Sequence, residues 1–508
     1  MNAGRGDGPE SSPRLVGPEL VVHMYAPVEG ARLGPAHGYL RDVWARCREH
    51  FSMNVAVAGT DLPTGFPSLA FRRLDSDVLA AQESQREGVY QTILRLDHDL
   101  LCLSAILAPP PRGDGCTWAS LDTAWETVAG RTPSDLVGAA RIYQGYVAGL
   151  GELSNPSIDA TPSLVQVCEG MLPPDLRGGQ WAGNGLTTGG GFAVWEADRR
   201  QDDRLERRLI VLAPADRNSE LSCWTWARDD HDLPALQSYL GDAAKIRYQW
   251  RVWAGGKSVR RLYARADARV EQLRGLGKDL DTPMDEPTPS ASGARGRSLG
   301  LANADTLTAR LRSDAADLQM TSARLRLMRQ SVQIAAANMR AVLADDGTTP
   351  TNNDAFGDDL GLADHIVTQL DADIVLLSSA HDRADAVLGL VVPSTAGQAT
   401  ATGLTSTNDM DMTLDQKREL AREIATVFGT GAAVARLLEE IGFPPALNPN
   451  AVGLTPLDWW TEILQELDHG IVYRPYRRLL AAALRQYPHN STFRRLVDGH
   501  AGSSGSVP

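Results

Sequence analysis

Residues 420–444, LAREIATVFGTGAAVARLLEEIGFP, read as two short amphipathic helices with a break between them. Leu420, Ile424, Val427 and Phe428 recur at helical spacing, and Gly429-Thr430-Gly431 interrupts the pattern. The second helix, Ala432 to Ile441, gathers Val434, Leu437, Leu438 and Ile441 on one face. Gly442 stands where a left-handed residue closes a helix, and Pro444-Pro445 forbid continuation. Working outward, the first helix starts near Leu414. Downstream, Thr455-Pro456-Leu457-Asp458 is a start signal with a cap, a first-turn proline and an acid three residues on. Trp460, Ile463, Leu464 and Leu467 follow, and Gly470 stops that helix. Tyr476, Leu479, Leu480, Leu484 and Tyr487 line the next, which Pro488 ends; a short helical turn spans Thr492 to Val497. Residues 413–498 are therefore expected to form a small all-α bundle.

Charge within this bundle is segregated. Asp415 to Asp468 holds nine acids and four bases, whereas Arg474 to Asp498 holds six bases and one acid. The bundle is neutral in sum but has opposite ends, so two such bundles could dock basic face on acidic face. Complementarity of this kind sets partner choice and encounter rate; solvation of a helix surface is the plainer reading of the same charges. Trp459 and Trp460 are adjacent on one helix, so one is expected in the core and the other partly exposed, either as an interface anchor or partly buried against the following helix. The candidate interaction residues are Trp459, Trp460, Glu439, Glu440, Arg477, Arg478, Arg494 and Arg495.

The quoted run, followed by LTPLDWWTEILQELDHG (454–470) and LLAAALRQYPHNSTFRRL (479–496), resembles the first type of effector-associated domain of bacterial conflict systems. The resemblance is carried by the helix ending in Phe428, the Ala435-Arg436-Leu437-Leu438 helix leading into Gly442, the helix around Trp460 and the Tyr487-Pro488-His489-Asn490 close. It implies a death-fold-like adaptor. Copies on separate proteins would pair and recruit effectors, such as caspase-like or trypsin-like proteases and TPR proteins.

Upstream, the pattern mixes strands and helices, which places residues 19–230 in an α+β body after a floppy leader, 1–18. Strands are expected at 19–28, 68–75, 89–108 (with a helical alternative for its first half), 191–197, 207–214 and 221–227. Helices are expected at 36–51, 120–127 and 135–150. From residue 231 to 391 the pattern turns to long helices. One starts at Leu233 and runs toward Leu276, and a polar, proline-bearing linker covers 281–300. Leu311, Leu318, Leu325, Val332 and Met339 then recur at steps of seven. After a polar loop, 345–359, Leu360, Val367, Ile374 and Leu388 repeat the step, with His381 at the missing position. Ala363, Leu370, Leu377 and Ala384 supply the other seam position. Two heptad arms joined by a loop predict a long antiparallel helical hairpin or coiled coil, its first arm about 60 Å long. Residues 392–412 read as a flexible tether, and 499–508 as a tail.

ELVVHMYAPVEGARLGPAHGYLRDVWARCREHF (19–51) and LPALQSYLGDAAKIRYQWRVW (233–253) resemble the caspase- and TPR-repeat-associated (CATRA) proteins of actinobacterial conflict systems, over about residues 19–390. Composition, with 43% hydrophobic and 22% charged residues, is ordinary for a folded chain, so disorder is not the default. The net charge of −13 lies outside the bundle and argues against broad nucleic-acid binding, which needs basic surface. Five scattered cysteines without a Cys-x-x-Cys pair suggest buried free thiols in a reducing compartment. No stretch reaches the length of about 20 apolar residues that a membrane span needs, so a cytoplasmic protein is expected.

The chemical motifs are weak. Gly255-Gly256-Lys257-Ser258 lacks the earlier glycine of a phosphate loop, where Arg251 stands. The Gly-rich run 178–191 does not fit a dinucleotide fingerprint, although it could border a pocket with Trp181, Trp195 and Trp224. Asp229, Asp230, His231 and Asp232 are ligand types without a supporting second cluster. The loop 345–359 lacks the spacing of a calcium loop. No caspase-like cysteine context and no Gly-x-Ser-x-Gly elbow occur. The reading is thus a non-enzymatic sensor or adaptor without metal or cofactor, able to self-associate through its coiled coil. The alternative is an enzyme or small-ligand-binding protein with a pocket near 178–191.

Overall fold

The computed structural model describes residues 13–28, 33–67, 76–110, 115–148, 157–178, 180–198, 202–227, 233–281, 291–396, 412–428, 432–443, 456–468, 472 and 475–501. Residues 1–12 of the expected leader, the strand expected at 68–75, Asp229 to Asp232, positions 282–290 of the linker, 397–411 of the tether and 502–508 of the tail lie outside these. The helix punctuation at Gly429-Thr430-Gly431, Pro444-Pro445, Thr455 and Gly470 lies outside them too. Two compact units form, residues 1–393 and 394–508.

The larger unit is built on a mixed nine-stranded sheet. Its strands are β1 (Arg14–Pro27), β2 (Met53–Val55), β3 (Ser76–Ser84), β4 (Val89–Asp97), β5 (Leu100–Ala108), β6 (Gly138–Ala148), β7 (Leu186–Thr187), β8 (Ala193–Glu196) and β9 (Glu206–Pro214). The spatial order is β2-β3-β4-β5-β1-β6-β9-β8-β7. Among the described residues only β6 and β9 run parallel; the other pairs are antiparallel. One face is covered by α1 (Leu33–Phe51), α2 (Trp118–Ala129) and α3 (Pro162–Glu169), around Leu40, Trp44, Trp118 and Trp125. Following α4 (Asn218–Thr225), the other face is covered by α5 (Ala235–Trp253), whose Leu236, Tyr239, Leu240 and Ala243 are buried.

Several elements differ from the sequence reading. The first strand starts at Arg14, inside the segment read as leader. Residues 89–108 are two strands joined at His98, which takes a left-handed φ of 51°, and no part is helical. Residues 135–150, read as helix, hold β6 instead. This strand is buried along almost its whole length between β1 and β9, so the alternation that marks a half-exposed strand is lost. The converse holds at 221–227. Its alternating residues suggested a strand, yet α4 forms there, burying Leu221 and Thr225 four apart.

The long helix after Leu233 breaks at Ala254 and Gly255, both with positive φ, and resumes as α6 (Lys257–Asp281). The linker is shorter than expected, because α7 (Ala291–Asp345) already includes 291–300; α8 (Ala355–Ala396) likewise takes in 392–396 of the tether. The 55 residues of α7 make an arm of about 80 Å, against the 60 Å expected. The two arms form the hairpin. Leu311, Leu318, Leu325, Val332 and Met339 are buried, as are Ala363, Leu370, Leu377 and Ala384; Leu360, Val367, Ile374 and Leu388 are half-buried at the edge. Arg329–Asp371 (2.6 Å) and Arg340–Asp364 (2.9 Å) bridge the arms.

The loop between the arms spends its acids on structure. Asp354 caps α8, accepting from the N–H groups of Phe356 (2.9 Å) and Gly357 (2.8 Å). Asp358 and Asp359 enter a buried ion cluster with the sheet. Arg207 of β9 donates to Glu196 of β8 through Nε (2.9 Å) and Nη2 (2.7 Å), and to Asp359 through Nη1 (2.7 Å). Arg204 donates to Glu196 (3.1 Å), and Tyr239 of α5 donates to Asp359 (3.0 Å). Arg247 of α5, buried, forms a close ion pair with Asp359, but its N–H groups are not aligned for hydrogen bonds. Burial alone would push the Glu196 carboxyl up; Arg207, Arg204 and Arg247 together outweigh it and hold it at about 2.

Two outcomes follow for this cluster. Asp359→Asn removes the counter-charge of two buried arginines, so urea unfolding of the larger unit should show a loss of about 3–5 kcal/mol; no change would mean that the cluster carries no net stabilisation. Glu196 has a folded pKa below its unfolded one, so its contribution is complete above pH 4.5 and is lost as the pH falls toward about 2. The stability gap between wild type and Glu196→Gln, followed by tryptophan fluorescence, should therefore narrow across that window.

Candidate functional site: the C-terminal bundle

The smaller unit contains α9 (Leu414–Phe428), α10 (Ala432–Ile441), α11 (Pro456–Asp468), α12 (Pro475–Gln486) and α13 (Ser491–Ala501). The last is a full helix where a single turn was expected. A capping box opens α9: the Gln416 N–H donates to Thr413 Oγ1 (3.3 Å), and the Thr413 N–H donates to Gln416 Oε1 (2.8 Å). Gly442, at φ 81°, closes α10, and the Phe443 N–H returns to the Leu438 carbonyl at 2.8 Å. The core holds Leu420, Ile424, Leu437, Leu438, Trp460, Ile463, Leu479 and Phe493.

Both tryptophans belong to this core, contrary to the expectation that one is exposed. Trp460 is 0% and Trp459 5% accessible, and their rings meet edge to face at 5.3 Å. Adjacent residues differ by about 100° on a helix, so both can be buried only when neighbours cover a wide arc. Neither indole remains as a surface anchor.

The charged residues fall into two groups. Glu440 of α10 pairs with Arg485 of α12, and Arg495 of α13 pairs with Glu419 of α9. Basic helices thus lie beside acidic ones, rather than at the opposite end of the bundle. These pairs are exposed, and each contributes at most about 1 kcal/mol. Arg494 is exposed and donates to His489 Nδ1 at 3.4 Å. Arg477 and Arg478 are exposed on the first turn of α12, with no ion-pair partner among the described residues. The Glu439 side chain lies outside the described residues. The structure therefore brings Glu440 to Arg485 and Arg495 to Glu419, lays the Arg478 head group beside Gly442 at the end of α10, and leaves Arg477 exposed.

Asn490, named in the sequence only as part of the Tyr487-Pro488-His489-Asn490 close, links α9 to α13. Asn490 accepts the Phe493 N–H at 3.0 Å, capping α13, and donates to Glu423 of α9 at 2.6 Å. Its place just before Ser491-Thr492-Phe493 is an N-cap signal that could have been read.

The other candidates in the larger unit are absorbed by packing. Trp181 and Trp195 are buried against each other, with ring centroids 6.2 Å apart. The Gly-rich turn is pressed onto the hairpin loop: a Cβ on Gly189 would stand 1.9 Å from the Asp346 carbonyl oxygen, and the Gly189 N–H donates to Thr348 Oγ1 at 2.9 Å. Trp224 is half-buried against Phe192, with ring centroids 5.4 Å apart. Gly255-Gly256-Lys257-Ser258 forms the corner between α5 and α6, beside which Trp253 Nε1 donates to Asp373 of α8 at 2.8 Å. His381 pairs with Asp385 at 3.3 Å along α8. Cys47, Cys102 and Cys168 are buried, and burial pushes their thiols up to about 12; Cys116 is half-buried and Cys223 exposed. Among the described residues no helix is long and apolar enough to cross a membrane.

Comparison with known proteins agrees with this division. Residues 19–229 match the caspase and TPR repeat-associated N-terminal domain, and residues 234–384 match the C-terminal domain of the same name. Residues 410–501 match effector-associated domain 1. No curated protein and no solved structure shows a significant match. The sheet with α1 to α4 is thus a CATRA N-terminal domain, α5, α6 and the helical hairpin a CATRA C-terminal domain, and the terminal bundle an effector-associated domain 1, and the chain belongs to the caspase- and TPR-repeat-associated proteins.

Proposed function

We propose that this chain is a non-enzymatic sensor or adaptor of a bacterial conflict system. In this reading the CATRA pair detects a trigger or assembles, and the terminal bundle recruits an effector that carries a matching domain. The observation that carries the reading is the domain order, with an effector-associated domain 1 following the CATRA pair. A caspase-like or trypsin-like protease or a TPR protein is the proposed partner, and the actinobacterial cytoplasm the proposed setting.

The bundle's surface supports this assignment. Arg477 and Arg478 occupy the first turn of α12, where the helix dipole favours acids and disfavours bases by about 0.3–1 kcal/mol each. For Arg477 that placement costs the isolated fold something, whereas the Arg478 guanidinium lies beside Gly442, at the C-terminal end of α10, where a cation is favoured; neither makes an ion pair among the described residues. An acidic surface on the partner bundle would relieve that cost on docking. An exposed arginine such as Arg477, whose cost docking would relieve, supports the reading of this turn as an interface.

The test is binding of the purified full chain to a protein from the same genome that carries effector-associated domain 1, at low and moderate salt. Arg477→Glu/Arg478→Glu should weaken binding by about tenfold and flatten its salt dependence. The bundle's melting temperature should hold, since an acid at 477 suits the first turn of α12 and offsets the loss of Arg478 beside the end of α10. Unaltered affinity of the double variant, or no binding by the wild type at low salt, would sink the proposal.

A further inference from the structure

The outward side of α7 carries a second heptad series, separate from its buried seam. Met320, Leu327 and Ile334 recur at steps of seven, with Ala323, Gln330 and Ala337 three residues after each. All six are exposed, the three large ones at 43%, 60% and 54%. No charged residue falls in this series from Ala316 to Ala341. The hairpin does not need it, because Leu318, Leu325, Val332 and Met339 already supply the inward face. A solvated helix face is ordinarily polar, whereas alternating three- and four-residue apolar spacing is the requirement of a helix that packs on another helix.

The stripe also forms the wall of a groove. Leu327 and Ile334 line a cavity of about 570 Å³ together with Asp97, His98 and Asp99 of the β4–β5 turn and Asp242 and Lys245 of α5. These acids already have partners: Lys245 holds Asp99 (2.8 Å) and Asp242 (3.4 Å), and His98 Nδ1 lies 2.7 Å from Asp97. On the flanks of the stripe the balance is different. Arg312, Arg324 and Arg326 are exposed and have no ion-pair partner among the described residues.

A second copy of α7 would not answer that charge. The positions flanking its stripe, 310, 312, 317, 319, 324, 326, 331, 333, 338 and 340, hold five arginines and one acid. That acid, Asp317, is bound by Arg265 at 2.9 Å. We propose that the outward face of α7 docks an acidic amphipathic helix of a partner protein, its apolar residues on Met320, Leu327 and Ile334 and its carboxylates on Arg312, Arg324 and Arg326. The contact lies outside the effector-associated domain and does not depend on the adaptor reading.

Fluorescence anisotropy with the full chain tests it. The probe is a designed helical peptide with leucine at its a and d positions and glutamate at e and g; the control carries lysine in place of glutamate. The acidic peptide should bind about tenfold more tightly than the basic one and lose affinity with salt. Leu327→Asp/Ile334→Asp should weaken it by about thirtyfold or more without moving the melting curve, because both side chains are already more than half exposed. Arg312→Glu/Arg324→Glu/Arg326→Glu should invert the preference. Equal binding of both peptides, binding of neither, or indifference to Leu327→Asp/Ile334→Asp would overturn the proposal. So would sedimentation showing a dimer that this double variant disperses, since the occupant would then be a second copy.

Discussion

The fusion of sheet and hairpin rests on one buried arrangement of charge. Glu196 and Arg207 come from adjacent strands, Tyr239 and Arg247 from α5, and Asp359 from the start of α8. Glu196 and Asp359 are fully buried, and Arg247 and Arg207 nearly so. Ions in that setting are stabilised only by each other, so the five groups must meet in one register. A hydrophobic contact would allow α8 to slide by a fraction of a turn; a carboxylate shared between two guanidinium groups and a phenol does not. The Asp354 cap and the close seat of Gly189 on the hairpin loop fix the same end of the hairpin by independent means.

Legibility in the sequence followed burial pattern. The bundle was the clearest part, since each short helix has one buried face and the hydrophobic spacing is undisguised. The hairpin seams were legible for the same reason: Leu318, Leu325 and Val332 repeat at seven, and they are buried. The sheet was harder. β6 is flanked on both edges and covered on both faces, so GAARIYQGYVA carries no period of two and, with its alanines, imitates a helix. The ion cluster could not be read at all. Glu196 and Asp359 are 163 positions apart in the chain, and nothing local distinguishes a carboxylate awaiting a distant arginine from one facing water.

The candidate interaction residues show what sequence can and cannot decide. Residue type and helix assignment gave Arg477 and Arg478 a surface position, and an i, i+1 pair near a helix start is legible as such. Trp459 was misjudged because burial depends on how many neighbours surround a helix, which periodicity does not report. Charge segregation along the chain was likewise no guide to segregation in space. The antiparallel return of α12 and α13 brings Arg485 to Glu440 and Arg495 to Glu419, turning two apparent poles into adjacent, partly neutralised surfaces.

The two outward features differ in physical kind. On α12, the bundle offers charge at a helix end; its attraction is long-ranged, screened by salt, and suited to fast selection among related domains. On α7, the larger unit offers apolar anchors at heptad spacing with arginines at their margin, which reward a matched helix at short range and are little affected by salt in the anchors themselves. A surface that selects by charge can release readily, whereas one that buries leucine and isoleucine holds longer.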